Sequence, residues 1–270
     1  MNSQSEITKR GALKVRLATS SKEVCVAQKL RYLVFHDELG AKLNVQNRLA
    51  KIESDAFDDI CDHLLVIRET TTRNSELLVH DGFVIGTYRL LKQSVALQNH
   101  GFYSQSEFDI MPLLVRKPEL KFLELGRSCV LKDERGSAVI EILWQGIWNY
   151  VRHNRIDVMI GCASFDGTDI EVHRNSLQLL LANKNAPEDW HVAAHPQHRI
   201  DLKSTAGARQ DSRSIISHLP PLIKGYLRLG CFFGDGAVID DVFNTIDVLV
   251  ILPISNINPR YFTRFGEPTN

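Results

Sequence analysis

The 270-residue sequence lacks an excess of charge of either sign, with 32 Lys+Arg against 32 Asp+Glu. That balance gives no global electrostatic case for a nucleic-acid partner. Cysteine is scarce and odd in number: Cys25, Cys61, Cys129, Cys162 and Cys231, with no CxxC pair. Each lies in or beside an apolar segment, so the expectation is buried thiols in a reducing compartment and not a disulfide framework. The longest apolar run, Val248–Ile254, is far short of a membrane span. The opening residues, MNSQSEITKRGALKV, hold no apolar core of signal-peptide length. These absences predict a cytoplasmic protein whose contact with the inner membrane is at most peripheral.

Several kinds of catalytic apparatus are missing as well. There is no GxSxG nucleophile elbow. No histidine is followed five positions later by aspartate, which excludes the His–Asp acyltransferase motif of glycerolipid enzymes. His191, His195 and His198 have no Cys, Asp or Glu partner at metal-ligand spacing, so no metal site is expected. Internal repeats, low-complexity tracts and linkers are absent too. One domain over residues 13–266 is the simplest organisation, with 1–12 and 267–270 as flexible tails.

What is present reads as alternating strands and helices. Leu13–Ala18 predicts a strand, and Ser20 or Ser21 caps a helix with Glu23 just inside it. That helix should run to about Leu39, with Val24, Ala27, Leu30, Val34 and Phe35 as its apolar stripe and Gly40 as its stop. Leu43–Asp62 is polar and acidic without periodicity. His63–Arg68 and Phe83–Leu91 predict a hairpin across a polar turn. Gln105–Val115 reads as a short helix broken near Pro112. Strands follow over Phe122–Leu131 and Asp157–Ala163, with a long apolar helix up to Asn154 between them. A helix over Asp169–Asn183 leads to a loop-like stretch, Asn185–Arg213. Pro220–Pro221 start a last helix that Gly230 ends, and Asp247–Pro253 is the final strand.

The strand Phe122–Leu131 carries Glu124, Arg127 and Ser128 inside an otherwise apolar run, a costly arrangement unless the charges are paired. Residues three apart on a regular strand face opposite ways, so a bulge at Gly126 is predicted to bring Glu124 and Arg127 together and splay the strand. Glu53, Asp55 and Asp58 cluster on a loop. Grouped carboxylates can bind an amine, and one with a raised pKa can take its proton. Arg89 is a further charge inside a strand. It fits either a structural ion pair or a polar patch for a substrate carboxylate. The loop Lys132–Ala138 has one glycine, flanking Lys132 and Arg135, and a helix start suited to a phosphate.

Arg31/Phe35, Glu53-x-Asp55-xx-Asp58, Arg89 in GTYRLL and Glu124-Leu-Gly-Arg127 resemble the charged set of acyl-homoserine lactone synthases, in the same order. A longer resemblance is to the L-ornithine Nα-acyltransferases of ornithine-lipid synthesis. It rests on FDDICDHLLV (Phe57–Val66), VIGTYRLL (Val84–Leu91), ELGRSCV (Glu124–Val130), LWQGIWNY (Leu143–Tyr150) and LPPLIKGYLRLGCFFGDGAVIDDVF (Leu219–Phe243). The last block has no counterpart in the lactone synthases. The phosphate loop departs from the usual GNAT pattern of Q/R-x-x-G-x-G/A, with Asp133 at its first position, although Gly136 and Ala138 fit.

The resemblance implies an α/β fold: a GNAT-like mixed central sheet flanked by helices, with a C-terminal helix–strand elaboration. It implies transfer of a 3-hydroxyacyl chain from acyl carrier protein to the α-amino group of ornithine, without a resident cofactor. Glu53 or Glu124 would be the base, with Asp55, Asp58, Arg89 and Arg127 as substrate ligands. The donor's 4′-phosphopantetheine would run along Gly126, Ser128 and Val130 to Arg135, Gly136, Ser137 and Ala138. Lys132, Arg135, Arg152, Arg155, Lys224 and Arg228 would offer the acidic carrier a basic surface. Three other readings stay open: a lactone synthase consuming S-adenosylmethionine, an N-acyltransferase for another amino acid, and a non-catalytic acyl-binding regulator that binds carrier without transfer.

Overall fold

The computed structural model describes residues 6–69, 75–183, 186–200, 202, 212–258 and 261. In chain order these form β1 (Glu6–Arg10), β2 (Leu13–Leu17), α1 (Ser21–Arg31), α2 (Val45–Ala50), β3 (Asp62–Arg68), β4 (Leu78–Val79), β5 (Gly82–Lys92) and α3 (Gln93–Ala96). Then come α4 (Met111–Arg116), β6 (Phe122–Val130), α5 (Ser137–Asn154), β7 (Val158–Asp166), α6 (Ile170–Asn183), α7 (Ser212–His218), α8 (Pro221–Leu229), β8 (Phe232–Phe233), β9 (Val238–Asp240) and β10 (Thr245–Pro253). Within the span expected as one domain, the described residues group into two compact units. The first lies within Met1–His100 and Leu123–Ile156, the second within Gly101–Phe122 and Asp157–Gly266.

In the first unit β1, β2, β3, β5 and β6 pair antiparallel in that spatial order, with β4 on the outer end of β5. Residues 6–10, expected in a flexible tail, instead form β1, because Gly11 at φ +59° turns the chain back onto β2. Successive side chains on β3 point to opposite faces and so sort the helices. Leu65 and Ile67 pack with Ala27 and Leu30 of α1 and with Cys129 of β6. Leu64 faces the other way, toward α5, where Gly146 lets the helix backbone close on Val15 and Leu64. A Cβ at Gly146 would stand 2.8 and 2.9 Å from the two methyls of Val15. Gly146→Ala is therefore expected to lower the urea midpoint. Overpacking costs about 1–3 kcal/mol, more than the roughly 1 kcal/mol that alanine gains in helix propensity.

Two local features differ from the sequence expectation. The first helix is α-helical only to Arg31 and continues as a π-helix over Tyr32–Glu38, with Gly40 at φ +78° beyond it. Such wide turns gather at functional sites, and Arg31 stands at the junction. The acidic segment also contains α2, whose cap Asn44 accepts the Asn47 N–H at 2.8 Å and whose end is Lys51 in the left-handed region. Six residues are too few to show a period. Moreover, the apolar Val45 and Leu49 of α2 point to solvent, so no buried stripe marked it.

In the second unit β7 and β10 form a nine-residue antiparallel ladder, and β8 and β9 also pair with β10. Pro112 sits in the first turn of α4 and does not break a helix, since a first-turn residue has no intrahelical N–H bond to lose. Gly230 at φ +92° ends α8 as expected. Its Cα lies so close to the Asn256 carbonyl that a Cβ would meet the oxygen at 2.8 Å. The stretch 186–200 makes isolated bridges to Asp235 and Val238. Residues 185, 201 and 203–211 of the expected loop lie outside the described residues, as do 1–5 and 267–270 of the expected tails. The α/β class, with helices packed on sheet and a C-terminal helix–strand elaboration, is as expected.

Candidate functional site

The site of interest lies in the first unit, on the α1 face of its sheet. Across the ladder His63 pairs with Arg89, Arg89 with Gly126, and Leu91 with Glu124, so His63, Arg89 and Glu124 share that face. The segment after α2 is pinned beside them. The Glu53 N–H donates to the Gln28 carbonyl of α1 at 3.0 Å, and Asp55 Oδ1 accepts the Phe57 N–H at 2.9 Å. The second bond folds the acidic residues into a tight turn.

Three guanidinium groups enter this turn from three different elements. Arg31, with no solvent exposure, donates from Nη1 to Asp58 Oδ1 at 2.8 Å and from Nη2 to Asp58 Oδ2 at 2.6 Å. Its Nη2 also reaches the Glu53 carbonyl at 2.6 Å. Its Nε lies 2.6 Å from Glu53 Oε2, an ion pair without hydrogen-bond alignment. Arg89 Nη1 meets Asp55 Oδ1 at 2.6 Å and Asp58 Oδ1 at 3.1 Å, while its guanidinium lies 5.6 Å above the centre of the Phe57 ring. Arg127 donates to Glu53 Oε1 at 3.1 Å and to Asp55 Oδ2 at 3.0 Å. Gln28 adds a further side-chain donor to Asp58, at 3.0 Å. Formally the net balances, three carboxylates against three guanidiniums.

Burial by itself would favour protonated Asp58. The bonds from Arg31 and the charges of Arg31 and Arg89 win, however, and hold its carboxyl far below the usual range. His63, also buried, is pushed below its ordinary value mainly by burial, assisted by Arg31 and Arg89 and opposed by Asp58. Burial is likewise the chief reason that the neighbouring Cys61 thiol is pushed up to about 12, with Glu124, Asp58 and Asp55 acting in the same direction. Cys61 is thus a neutral thiol and no candidate nucleophile. No two of the five cysteines are joined in a disulfide; Cys129 and Cys231 are buried and the other three half-buried.

The bulge in β6 is present but not where glycine suggested. Two steps along β5, from Thr87 to Arg89, match three along β6, from Cys129 to Gly126. Arg127, not Gly126, adopts the left-handed conformation, at φ +52°. A non-glycine residue there is strained, and such strain gathers at functional sites. The conformation delivers the Arg127 guanidinium onto Glu53 and Asp55. Arg127→Gly and Arg127→Ala both lose that cation, but only glycine relieves the backbone. The glycine variant is expected to be more stable than the alanine variant by about 1–2 kcal/mol in chemical denaturation.

The expected donor residues occupy one continuous stretch. Gly126 and Ser128 flank the bulge, and the Val130 carbonyl accepts Arg135 Nε at 3.0 Å. Arg135 is engaged further by Glu38, through bonds of 2.6 and 2.7 Å. Gly136 caps α5, and its own N–H goes to the Glu134 carbonyl. Ser137 and Ala138 are exposed in the first turn, where helical N–H groups lack intrahelical partners. The basic residues expected as one docking surface are spread out: Lys132 and Arg135 precede an 18-residue helix, about 27 Å long, and Arg152 and Arg155 stand at its far end.

Sequence reasoning missed a second charged group at the start of α1. Arg16 makes paired bonds to Glu23, at 2.8 and 2.6 Å, and to Asp81, at 3.0 and 2.8 Å. Burial opposes the Glu23 charge, but Arg16 and Thr19 outweigh it and hold the carboxyl at about 2. Arg16 is 65 residues from Asp81 in the chain, so no local pattern announced the pairing. In the second unit Glu107, Cys162 and Asp247 bring one ligand-type atom each within 4.8 Å of the others. His191 and Arg199 both face Asp235.

Comparison with known proteins adds a lineage to this geometry. Residues 30–145 match the family model described as an acetyltransferase (GNAT) domain. A protein of Agrobacterium fabrum (strain C58 / ATCC 33970) named L-ornithine N(alpha)-acyltransferase is 46% identical over 258 residues, covering 95% of this chain and 86% of its own. One of the same name from Brucella abortus (strain 2308) is 43% identical, covering 96% of this chain and 91% of its own. Among solved structures, an N-acyl amino acid synthase from uncultured soil microbes superposes with a TM-score of 0.51 at 10% identity. That match covers 92% of this chain and 93% of the other, a likeness of fold. The fold is GNAT-like.

Proposed function

Because the chain belongs to the L-ornithine N(alpha)-acyltransferase family, and is therefore an acyltransferase, we propose that it acylates the α-amino group of L-ornithine from a 3-hydroxyacyl thioester on acyl carrier protein. The product would be an Nα-(3-hydroxyacyl)-ornithine, a lyso-lipid that a second acyltransferase can complete. The single observation that carries the site assignment is the strained Arg127. It ties the acidic loop to the bulge of β6, where a thioester would lie against backbone N–H groups that the extra residue takes out of the regular ladder.

In this mechanism Asp55 and Asp58 hold the ammonium groups of the acceptor, and Arg89 or Arg127 its carboxylate. A carboxylate, Glu124 or Glu53, takes a proton from the α-ammonium, directly or through one water. The freed amine attacks the thioester carbon, the C–S bond breaks, and the carrier thiol leaves with a proton. Backbone N–H groups of the Gly126–Ser128 bulge stabilise the oxyanion. Both Glu53 oxygens already face guanidinium groups, Arg127 at 3.1 Å and Arg31 at 2.6 Å. Glu124 is buried on the same face, one ladder step from Gly126 and the proposed oxyanion site, and that nearness makes it the base proposed here, with Glu53 as the alternative. The phosphopantetheine runs along Gly126, Ser128 and Val130. Its phosphate meets the N–H groups of Ser137 and Ala138 at the start of α5, while Arg135, tied to Glu38, shapes the turn at Gly136. Among the described residues no helix is long and apolar enough to cross a membrane. Any membrane contact in this reading is peripheral.

The deciding experiment offers the enzyme a 3-hydroxyacyl-acyl carrier protein and a panel of amino acids, and identifies products by mass. N-acyl-ornithine with release of carrier thiol is expected. Thiol release without an N-acyl product, or consumption of S-adenosylmethionine, would count against the proposal.

A further inference from the structure

His63 carries a feature that the transfer scheme above does not use. It is buried to 2% exposure in the middle of the charged net, on β3 opposite Arg89. Its Nε2 lies 2.9 Å from the Asp58 backbone carbonyl, which can only accept, so Nε2 carries the proton. Its Nδ1 is buried and has no hydrogen-bond partner among the described residues. A second proton there would create a buried donor with nothing to donate to, besides a fourth cation among Arg31, Arg89 and Arg127. The carboxylate oxygen that approaches the ring, Asp58 Oδ1 at 4.0 Å from Nε2, already serves Arg31 at 2.8 Å and Arg89 at 3.1 Å.

We propose that His63 is a positioning residue for acyl transfer, a neutral imidazole whose Nε2–H anchors the Asp58 backbone so that the Asp58 carboxylate faces Arg31 and Arg89 in register for the acceptor ammonium. Asp58 is then fixed at both ends: its carbonyl by His63, its carboxylate by Arg31, Arg89 and Gln28. Loss of the imidazole frees the turn Asp55–Asp58, on which Asp55 also rides, and misplaces both proposed ammonium ligands at once. The charged groups that act on the ring are Arg31 from α1, Arg89 from β5 and Asp58 from the loop. Their combined influence, with burial foremost, favours the neutral ring. The inference rests on the reading of this net as the acceptor site, but its first test needs no substrate.

Nitrogen-15 and carbon-13 NMR of histidine-labelled protein, with the His63 signal assigned by its loss in His63→Gln, should report the neutral Nε2–H tautomer at pH 7. The ring should stay neutral below the pH at which a free histidine titrates, about 6.5. An imidazolium or an Nδ1–H tautomer at pH 7 overturns the proposal whatever the enzyme acylates. Kinetics give the second test. His63→Leu, which removes the donor, should lose about tenfold in kcat/KM, the kinetic equivalent of one buried hydrogen bond. The loss should fall on the KM for the acceptor amino acid and leave the KM for the thioester unchanged. His63→Gln, a neutral side chain that still offers an N–H, should recover most of that loss. A leucine variant as active as wild type overturns the proposal, as does a folded glutamine variant no better than leucine. If the wild-type protein acylates no amino acid, the acceptor-site reading fails, and the NMR result still decides whether His63 is locked.

Discussion

Arg31→Met is expected to lower the free energy of unfolding by about 3–5 kcal/mol, the typical cost of removing one partner from a buried ion pair. Arg31 has no solvent exposure, and it contacts both Glu53 and Asp58. Methionine matches much of its volume but leaves those two buried carboxylates with fewer cations. Arg127 remains to Glu53, and Arg89 to Asp58. Urea unfolding of both proteins across pH provides a sharper check than a single midpoint. The Asp58 carboxyl is depressed in the folded protein, so its contribution is present above the unfolded value near 4 and is lost as the pH falls through the folded one. The gap between wild type and variant should therefore stay level from pH 7 down to about 4 and narrow only as the pH falls further. An equal gap at all pH values would mean that Arg31 stabilises by packing alone.

The second large effect belongs to the proposed base. Glu124→Gln is expected to cut kcat by about 10²- to 10⁴-fold, the usual contribution of a positioned proton acceptor, with the KM for the thioester little changed. Glu53→Gln is the informative companion, because Glu53 bridges Arg31 and Arg127. Its loss of rate should be accompanied by a fall in stability, as expected of a residue that organises the net. If neither variant loses more than about tenfold in kcat/KM, roughly 1.4 kcal/mol, the base lies elsewhere. The arginines and carboxylates would then serve to fold the loop.

Much of the scaffold is legible in the sequence, because its signals are local. Strand β3 with its apolar core, the helix α5 with its buried stripe, and α8 between Pro221 and Gly230 each advertise themselves within a few residues. The grouping of Glu53, Asp55, Asp58, Arg89 and Arg127 is accessible in the same way. Charges inside apolar strands require partners, and an acidic loop supplies them. The element most easily misread is α2, six residues long and outwardly apolar, which has no buried period to detect.

What the chain by itself determined about this protein is thus its α/β class, the order of its longer strands and helices, and the residues whose charge demanded an explanation. Those properties follow from spacing and side-chain chemistry over short distances. Only the tertiary structure decided which cation met which carboxylate. The Arg89–Asp55 contact spans 34 positions and the Arg127–Asp55 contact 72, separations at which spacing carries no information. It also moved the strained position of the bulge from Gly126 to Arg127. Glycine is the less strained residue in the left-handed region, but only a residue with a side chain could carry a cation back onto the acidic loop. It likewise brought out His63, since a histidine in an apolar strand looks like core until its Nε2 is found 2.9 Å from a backbone carbonyl.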